Sequence, residues 1–191
     1  MNNGFQNMNG LYDYKSYGGA LEIFRRYNCV GNTNIIFFAY NNVMPDSGAG
    51  FMAGVLGGAI GGGIYAASVA ADKKKKAEAM ACQVGLGPYD VLLINITENG
   101  IGMIPAFVDG FKKVIKENNV TFNFNNFIFI RNEFIGNLEV VKSSYYGKKA
   151  KLVRLYLKNG IIFDLASNIK EKYIQYQEQS MMILINMYER N

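Results

Sequence analysis

Apolar and polar positions along this chain fall into short runs separated by turn residues, which is a pattern of strands. Asn32–Val43 sets an apolar stretch between asparagines and predicts a first strand. Ala77–Gly87 continues as a brief helix or loop, stopped by Pro88. Asp90–Thr97 and Ile101–Ala106 then predict two strands around Glu98-Asn99-Gly100, a turn with Asn-Gly at its centre, and Pro105 marks the end of the second strand. Residues 107–119, with Lys112, Lys113 and Lys116, read as a polar connector. Val120, Phe122 and Phe124 alternate with Thr121, Asn123 and Asn125, and Phe127–Ile130 makes a further short strand. After a turn at Arg131–Phe134, strands are expected at Ile135–Ser143, Lys151–Lys158 and Ile161–Leu165. Their connections are a loop at Tyr145–Lys149 and a type I′ turn at Asn159-Gly160. The chain closes with a change of period: Ile174, Met181, Leu184, Ile185 and Tyr188 share one face of a helix spanning Gln175–Arg190. The expected fold is mainly β with a C-terminal α-helix (α+β), an antiparallel roll closed by that helix. A flexible Asn/Gly/Tyr-rich arm, residues 1–20, precedes one domain, residues 21–191.

One segment breaks this pattern and interrupts the domain at residues 47–77. Between Asp46 and Asp72 stand 25 residues without a charge, holding eight of the chain's 21 glycines. Gly50, Gly54, Gly58 and Gly62 recur at every fourth position, and Ala66 and Ala70 continue the row. Met52, Leu56, Ile60 and Ile64 run beside it at the same interval. On a helix these rows make a small-residue groove next to a bulky ridge. Each glycine costs a helix about 0.8–1 kcal/mol relative to alanine, so close packing must offset the sum. Small-xxx-small spacing does this inside bilayers. A single helix of this length would reach about 37 Å, enough for a hydrocarbon core of about 30 Å. Lys73, Lys74, Lys75 and Lys76 follow directly and are candidate contacts for anionic lipid. A solvated boundary after an apolar segment is the plainer reading of the same four lysines. Three readings of the segment stand side by side: a glycine-zipper membrane segment, a helix or hairpin packed on protein or on its own copies in water, and a Gly-rich loop. A single crossing would isolate Asn32–Val43 from the later strands, so the segment is expected to return, as a hairpin turning near Gly61-Gly62-Gly63 or a helix lying on the surface.

Composition narrows the chemistry. The chain of 191 residues has no histidine, which excludes His-based nucleophile systems and His-ligated metal sites. Cys29 and Cys82 are the two cysteines, far apart in sequence and without a CxxC. They read as reduced packing residues. The acidic residues Asp90, Glu98, Asp109, Glu133, Glu139 and Asp164 are scattered, no GxxxxGK[ST] occurs, and no strand-GxGxxG-helix unit is visible. No enzyme activity, metal or cofactor is expected. The net charge of +5 is spread without a long basic stripe, so nucleic acid is not an expected partner. Met1–Ala20 lacks a basic start and an apolar core, so secretion is not expected.

The runs Ile128–Ser144, Lys151–Asn168 and Tyr176–Arg190 resemble the bacterial branch of the pleckstrin-homology-like superfold. The carriers are the polar and acidic phrase from Ile130 to Ile135, the hairpin at Lys158-Asn159-Gly160 and the closing helix. Leu93–Pro105 is similar to the early hairpin of that family, and the resemblance covers residues 32–43 and 89–191. It implies a lipid-, peptide- or protein-binding roll without shared chemistry. Lipid-binding members hold phosphoinositide headgroups at the first inter-strand loop, which here corresponds to the Gly-rich insertion ending in Lys73–Lys76. Their interleaved Lys/Arg pattern is missing, and phosphoinositide specificity is not carried over.

The resulting expectation is a cytoplasmic, non-enzymatic binding or scaffold module, tethered to a membrane through Gly50–Ala70 and self-associating there. A protein or peptide partner would meet its edges and loops. The alternatives are a soluble structural homo-oligomer whose zipper helices pack on each other, and a membrane-perturbing pore.

Overall fold

The computed structural model describes residues 13–40, 85–110, 113–141 and 149–189. It contains a helix α1 (Tyr17–Arg25), strands β1 (Ile35–Tyr40), β2 (Val91–Thr97), β3 (Gly100–Val108), β4 (Val120–Phe122), β5 (Ile128–Arg131), β6 (Ile135–Val141), β7 (Ala150–Leu157) and β8 (Ile162–Asn168), and a helix α2 (Gln177–Tyr188). The strands form one antiparallel sheet in the order β4-β3-β2-β1-β8-β7-β6, with β5 pairing to β3 on the same edge as β4. β5 and β6 thus stand at opposite ends of the sheet, yet a single 3-10 turn, Asn132–Phe134, joins them. Three residues span about 10 Å, so the sheet curls until its two ends approach. The chain is mainly antiparallel β with a C-terminal helix, as its hydrophobic pattern predicts.

The curl makes an inside and an outside. Phe37 and Ala39 of β1, Leu92 and Ile94 of β2, Met103 of β3, Val153 and Leu155 of β7 and Leu165 of β8 fill the inside, where Met181 and Leu184 of α2 join them. Residues 85–90 are not helical; they carry Leu86 and Tyr89 into the same interior. The outer face of β1–β3 is covered as well. Ile36, Phe38, Leu93 and Ile104 meet Ala20, Ile23 and Phe24 of α1 there. Burial on both faces explains why β1 and β2 read as continuous apolar runs rather than as alternation. Gly102 permits this packing, because a Cβ there would fall 2.4 Å from Cys29 Sγ.

Part of the expected arm is corrected by α1. Residues 13–20 are fixed rather than flexible: Tyr14 is buried, Ser16 caps the helix by accepting from Gly19 N at 3.2 Å, and Ala20 lies in the outer core. The lead into α2 holds this segment, with Gln175 N donating to Lys15 O at 3.0 Å and Tyr176 Oη to Tyr14 O at 3.0 Å. Residues 1–12 lie outside the described residues.

The Asn159-Gly160 turn is also different. A type I′ turn needs positive φ at both central residues. Gly160 has φ +87°, but among the described non-glycine residues only Asn28 and Lys113 have positive φ. Leu157 O accepts from Gly160 N at 3.0 Å while Leu157 N donates to Ile161 O at 2.8 Å. This is the three-residue loop in which a left-handed glycine forms a bulge. The register gives the reason. The loop sets Leu155 opposite Phe163, whereas a two-residue turn at Asn159-Gly160 would set it opposite Asp164 and drive a carboxylate into the core. The earlier turn is shifted too: Thr97 pairs Gly100, so Glu98-Asn99 forms its centre.

α2 begins at the middle of the sheet. β1 pairs with β2 over six residues, but its pairing to β8 is Tyr40↔Ala166. Below that pair the two strands part, and the fully buried carboxamide of Gln177 fills the opening. Its Oε1 accepts from Phe38 N at 2.8 Å, and its Nε2 donates to Phe38 O at 3.1 Å and Asn168 O at 2.8 Å. Ser167 Oγ donates to Phe38 O at 2.7 Å and accepts from Gln177 Nε2 at 3.1 Å. The side chain behaves as a short stretch of strand. Gln177→Leu keeps the volume but strips Phe38 N–H and Asn168 C=O of their partners. A loss of about 2–3 kcal/mol is expected in urea unfolding, and an unchanged midpoint would show that the seam holds without the amide.

Candidate functional site

The residues singled out in the sequence as zipper and lipid contacts, Gly50, Met52, Gly54, Leu56, Gly58, Ile60, Gly62, Ile64, Ala66, Ala70 and Lys73–Lys76, lie outside the described residues, as does Cys82. What the structure shows is the frame that holds them. The chain leaves the described fold at Tyr40, the last residue of β1, and returns at Gly85, whose carbonyl accepts from Asn126 Nδ2 at 3.3 Å. The strands on either side of the insertion are hydrogen-bonded neighbours, paired from Ile35↔Ile96 to Tyr40↔Val91.

The roll therefore has two unlike ends. At the end where β1 finishes, β6 also finishes, β7 begins and β8 finishes, with Val141↔Leu152, Ala150↔Asn168 and Tyr40↔Ala166 in register. α2 lies across this end. Its first turn meets Phe38 and Ser167 through Gln177, and its last turn meets β6 and β7 through the Val140↔Glu189 bridge and the Lys151–Glu189 ion pair. Lys149, Lys170 and Lys172 are exposed around it. Ile169 N donates to Lys149 O at 2.9 Å, Lys170 Nζ lies 2.7 Å from Glu178 Oε1, and Lys172 Nζ stands 5.0 Å above the Tyr173 ring centre. Sequence reading placed Met181 and Leu184 in the core correctly but missed Gln177 and Ser180, which are buried polar residues on the same face. No sequence signal marks Gln177, because its partners are backbone and side-chain groups of β1 and β8.

A carboxylate sits beneath this end. Tyr40 Oη and Asn168 Nδ2 both donate to Glu171 Oε1 at 2.6 Å. Burial raises the Glu171 pKa above the usual carboxylate range, and the two donors oppose the rise without cancelling it. Burial, followed by the neighbouring Glu171 charge, also raises the Tyr40 phenol.

At the opposite end the sheet's two edges converge. Phe129, Ile130, Phe134, Leu157 and Asn159 line an open groove of about 320 Å³. Phe134 is 58% exposed at its rim, held by Lys158 N donating to Phe134 O at 2.9 Å. Nearby, the Glu98 carboxylate accepts from Asn32 N at 2.7 Å, Thr33 N at 3.2 Å and Thr33 Oγ1 at 3.2 Å, tying the β2–β3 turn to the loop before β1. The Asn32 amide leads the interactions that hold the Glu98 pKa below its ordinary value. Neither groove nor clamp has a signature in the sequence, since their members come from strand ends and turns far apart in the chain.

A further cluster of polar side chains pairs within itself. On the outer face of β6–β8, Glu139, Arg154 and Asp164 stand opposite one another across three strands. Arg154 donates to both Asp164 oxygens at 2.6 and 3.0 Å, and Tyr156 Oη donates to Glu139 Oε1 at 2.6 Å. Such pairing builds sheet rather than a reactive centre. Cys29 is buried beneath α1, and desolvation pushes its thiol up to about 12, far from thiolate chemistry at neutral pH.

Glu171 gives a signed pH response. Its pKa is higher in the folded than in the unfolded chain, so folding is favoured by proton uptake. That contribution is complete below the ordinary carboxylate pKa and is lost as pH rises through the raised value. Glu171→Gln keeps an oxygen acceptor for Tyr40 and Asn168 without a charge. Its melting temperature should exceed that of the parent at pH 7.5, and the gap should shrink toward pH 4. A gap that is constant with pH, or of opposite sign, would contradict the assignment.

No protein-family model matches the chain, and neither the curated proteins nor the solved structures provide a match.

Proposed function

We propose that this chain is a non-enzymatic binding module of the pleckstrin-homology-like kind, held at the cytoplasmic face of a membrane by its Gly-rich segment, where copies associate through Gly50, Gly54, Gly58 and Gly62. The observation that carries the reading is the pairing of β1 with β2. Two strands bonded over six residues cannot lie on opposite sides of a bilayer. A segment joining them must return to the side it left, or lie along the surface, and the roll stays whole on one side. Among the described residues no helix is long and apolar enough to cross a membrane, so contact with the hydrocarbon core falls to the insertion in this reading.

Three further features support it. Consecutive hairpins on either side of β1, with a helix closing one end, are the arrangement that the resemblance implies. Lysines surround the end from which β1 departs, as expected of a surface near anionic lipid. The apolar groove at Phe129 and Phe134 lies at the opposite end, where a protein or peptide partner would remain accessible.

The test is fractionation of the full chain from its cell, followed by crosslinking. Retention in the membrane pellet after carbonate, with release only by detergent, is expected. Replacing Gly54 and Gly58 by Leu should leave the roll's thermal transition in place and reduce crosslinked oligomers several-fold. A carbonate-soluble oligomer would favour the soluble homo-oligomer instead, and leakage of dye from vesicles would favour a pore.

A further inference from the structure

α2 should be apolar on the face that closes the roll and polar on the other. Its outward side departs from this. Exposed along it are Glu178, Gln179, Met182, Ile183, Asn186 and Met187. Met182 is 46% exposed, Ile183 39% and Met187 60%. Glu178 is the one charge in this set, and Lys170 pairs with it at 2.7 Å. Met182 and Ile183 on one turn and Met187 on the next put three large apolar side chains on the outward side, with neutral Gln179 and Asn186 between them and no uncompensated acid.

The place of the patch indicates its partner. α2 lies across the end of the roll at which β1 finishes, so its outward side belongs to that end. Besides Lys170, which Glu178 neutralises, two exposed lysines stand at this end: Lys172, before the helix, and Lys149, beside the β8 end. A neutral apolar strip bordered by lysines is complementary to the interface of an anionic bilayer, where the strip enters the acyl boundary and ammonium groups meet phosphates. A second copy of this basic chain would bring the same lysines against themselves.

We infer that the outward face of α2, through Met182, Ile183 and Met187 with Lys149 and Lys172, docks in the plane of an anionic bilayer. This fixes the orientation of the roll with its Phe129–Phe134 groove turned away from the lipid. The inference rests on the membrane location proposed above, but it concerns a different surface from the zipper.

The chain has no tryptophan, so one introduced indole reports alone. The full chain carrying Met187→Trp is mixed with vesicles of phosphatidylcholine, or of phosphatidylcholine with phosphatidylserine, and a parallel series contains brominated acyl chains. Blue-shifted, bromine-quenched emission is expected on the anionic vesicles. A Phe134→Trp probe at the opposite end should be neither shifted nor quenched. Adding Lys149→Gln and Lys172→Gln to the Met187→Trp chain should weaken binding roughly thirtyfold, at about 1 kcal/mol per lysine. Both substitutions are on the surface, and an unchanged thermal transition checks the fold.

Sedimentation with vesicles but no quenching at position 187 would overturn the α2 inference and leave the zipper tether standing. Quenching at position 187 in a chain that carbonate extracts would do the reverse. A blue shift that grows with protein concentration without vesicles would mean that a second copy covers the face, and it would overturn the inference. No sedimentation at all would remove both.

Discussion

The structure depends on how β1 meets β8. β1 is the central strand, bonded along its length to β2 but to β8 at Tyr40↔Ala166. Where the strands part, the Phe38 amide and the Asn168 carbonyl would be buried without partners, at a cost of about 1–3 kcal/mol for each unsatisfied group. The Gln177 carboxamide carries both a donor and an acceptor and closes the opening from the side. A backbone-like patch made by a side chain requires that side chain's helix to start at this point. The first residue of α2 is therefore fixed by a hydrogen-bonding need in the sheet.

The position of α2 follows from that anchor. Starting at the seam, the helix crosses the end of the roll and finishes beside β6 and β7, where Glu189 meets Lys151. Met181 and Leu184 then point into the interior, and the side that carries Met182, Ile183 and Met187 is left outward. The same stretch of chain secures the other layer. Tyr176 and Gln175 bind Tyr14 and Lys15, which lead into α1, so the helix covering the outer face is tied to the helix closing the end. Glu171 lies under this junction, where its carboxylate accepts from Tyr40 and Asn168.

The two ends of the roll differ in chemistry because different constraints shape them. One end is where β1 departs and α2 caps, and it is rimmed by lysines. The other is where the sheet's edges converge through one short turn, leaving Phe129 and Phe134 around an open groove. An exposed helix face with lysines near it and an open aromatic groove thus fall to opposite ends of one body.

Much of this fold is legible in the residues themselves. Apolar runs bounded by Asn, Gly and Pro mark the strands, since side-chain burial and turn chemistry act locally. The change to a 3.6-residue period marks α2 and its core residues Met181 and Leu184. The four-residue spacing of Gly50, Gly54, Gly58 and Gly62 is likewise a property of the sequence, whatever surrounds it. Other features required tertiary contacts. α1 was hidden because its N-cap, Ser16, and its small apolar face sit in a stretch whose Asn, Gly and Tyr content suits a loose arm. The turn at Asn159-Gly160 took its form from the need to keep Asp164 out of the core, a condition set by β7 and not by the turn residues. Gln177, Ser167, Glu171 and the groove depend on groups brought together from distant strands. Local patterns determine which segments become strand or helix, because burial and backbone preference are short-range. Which polar side chains are buried, and which apolar ones remain exposed, was decided only when the sheet curled and left a seam for α2 to close.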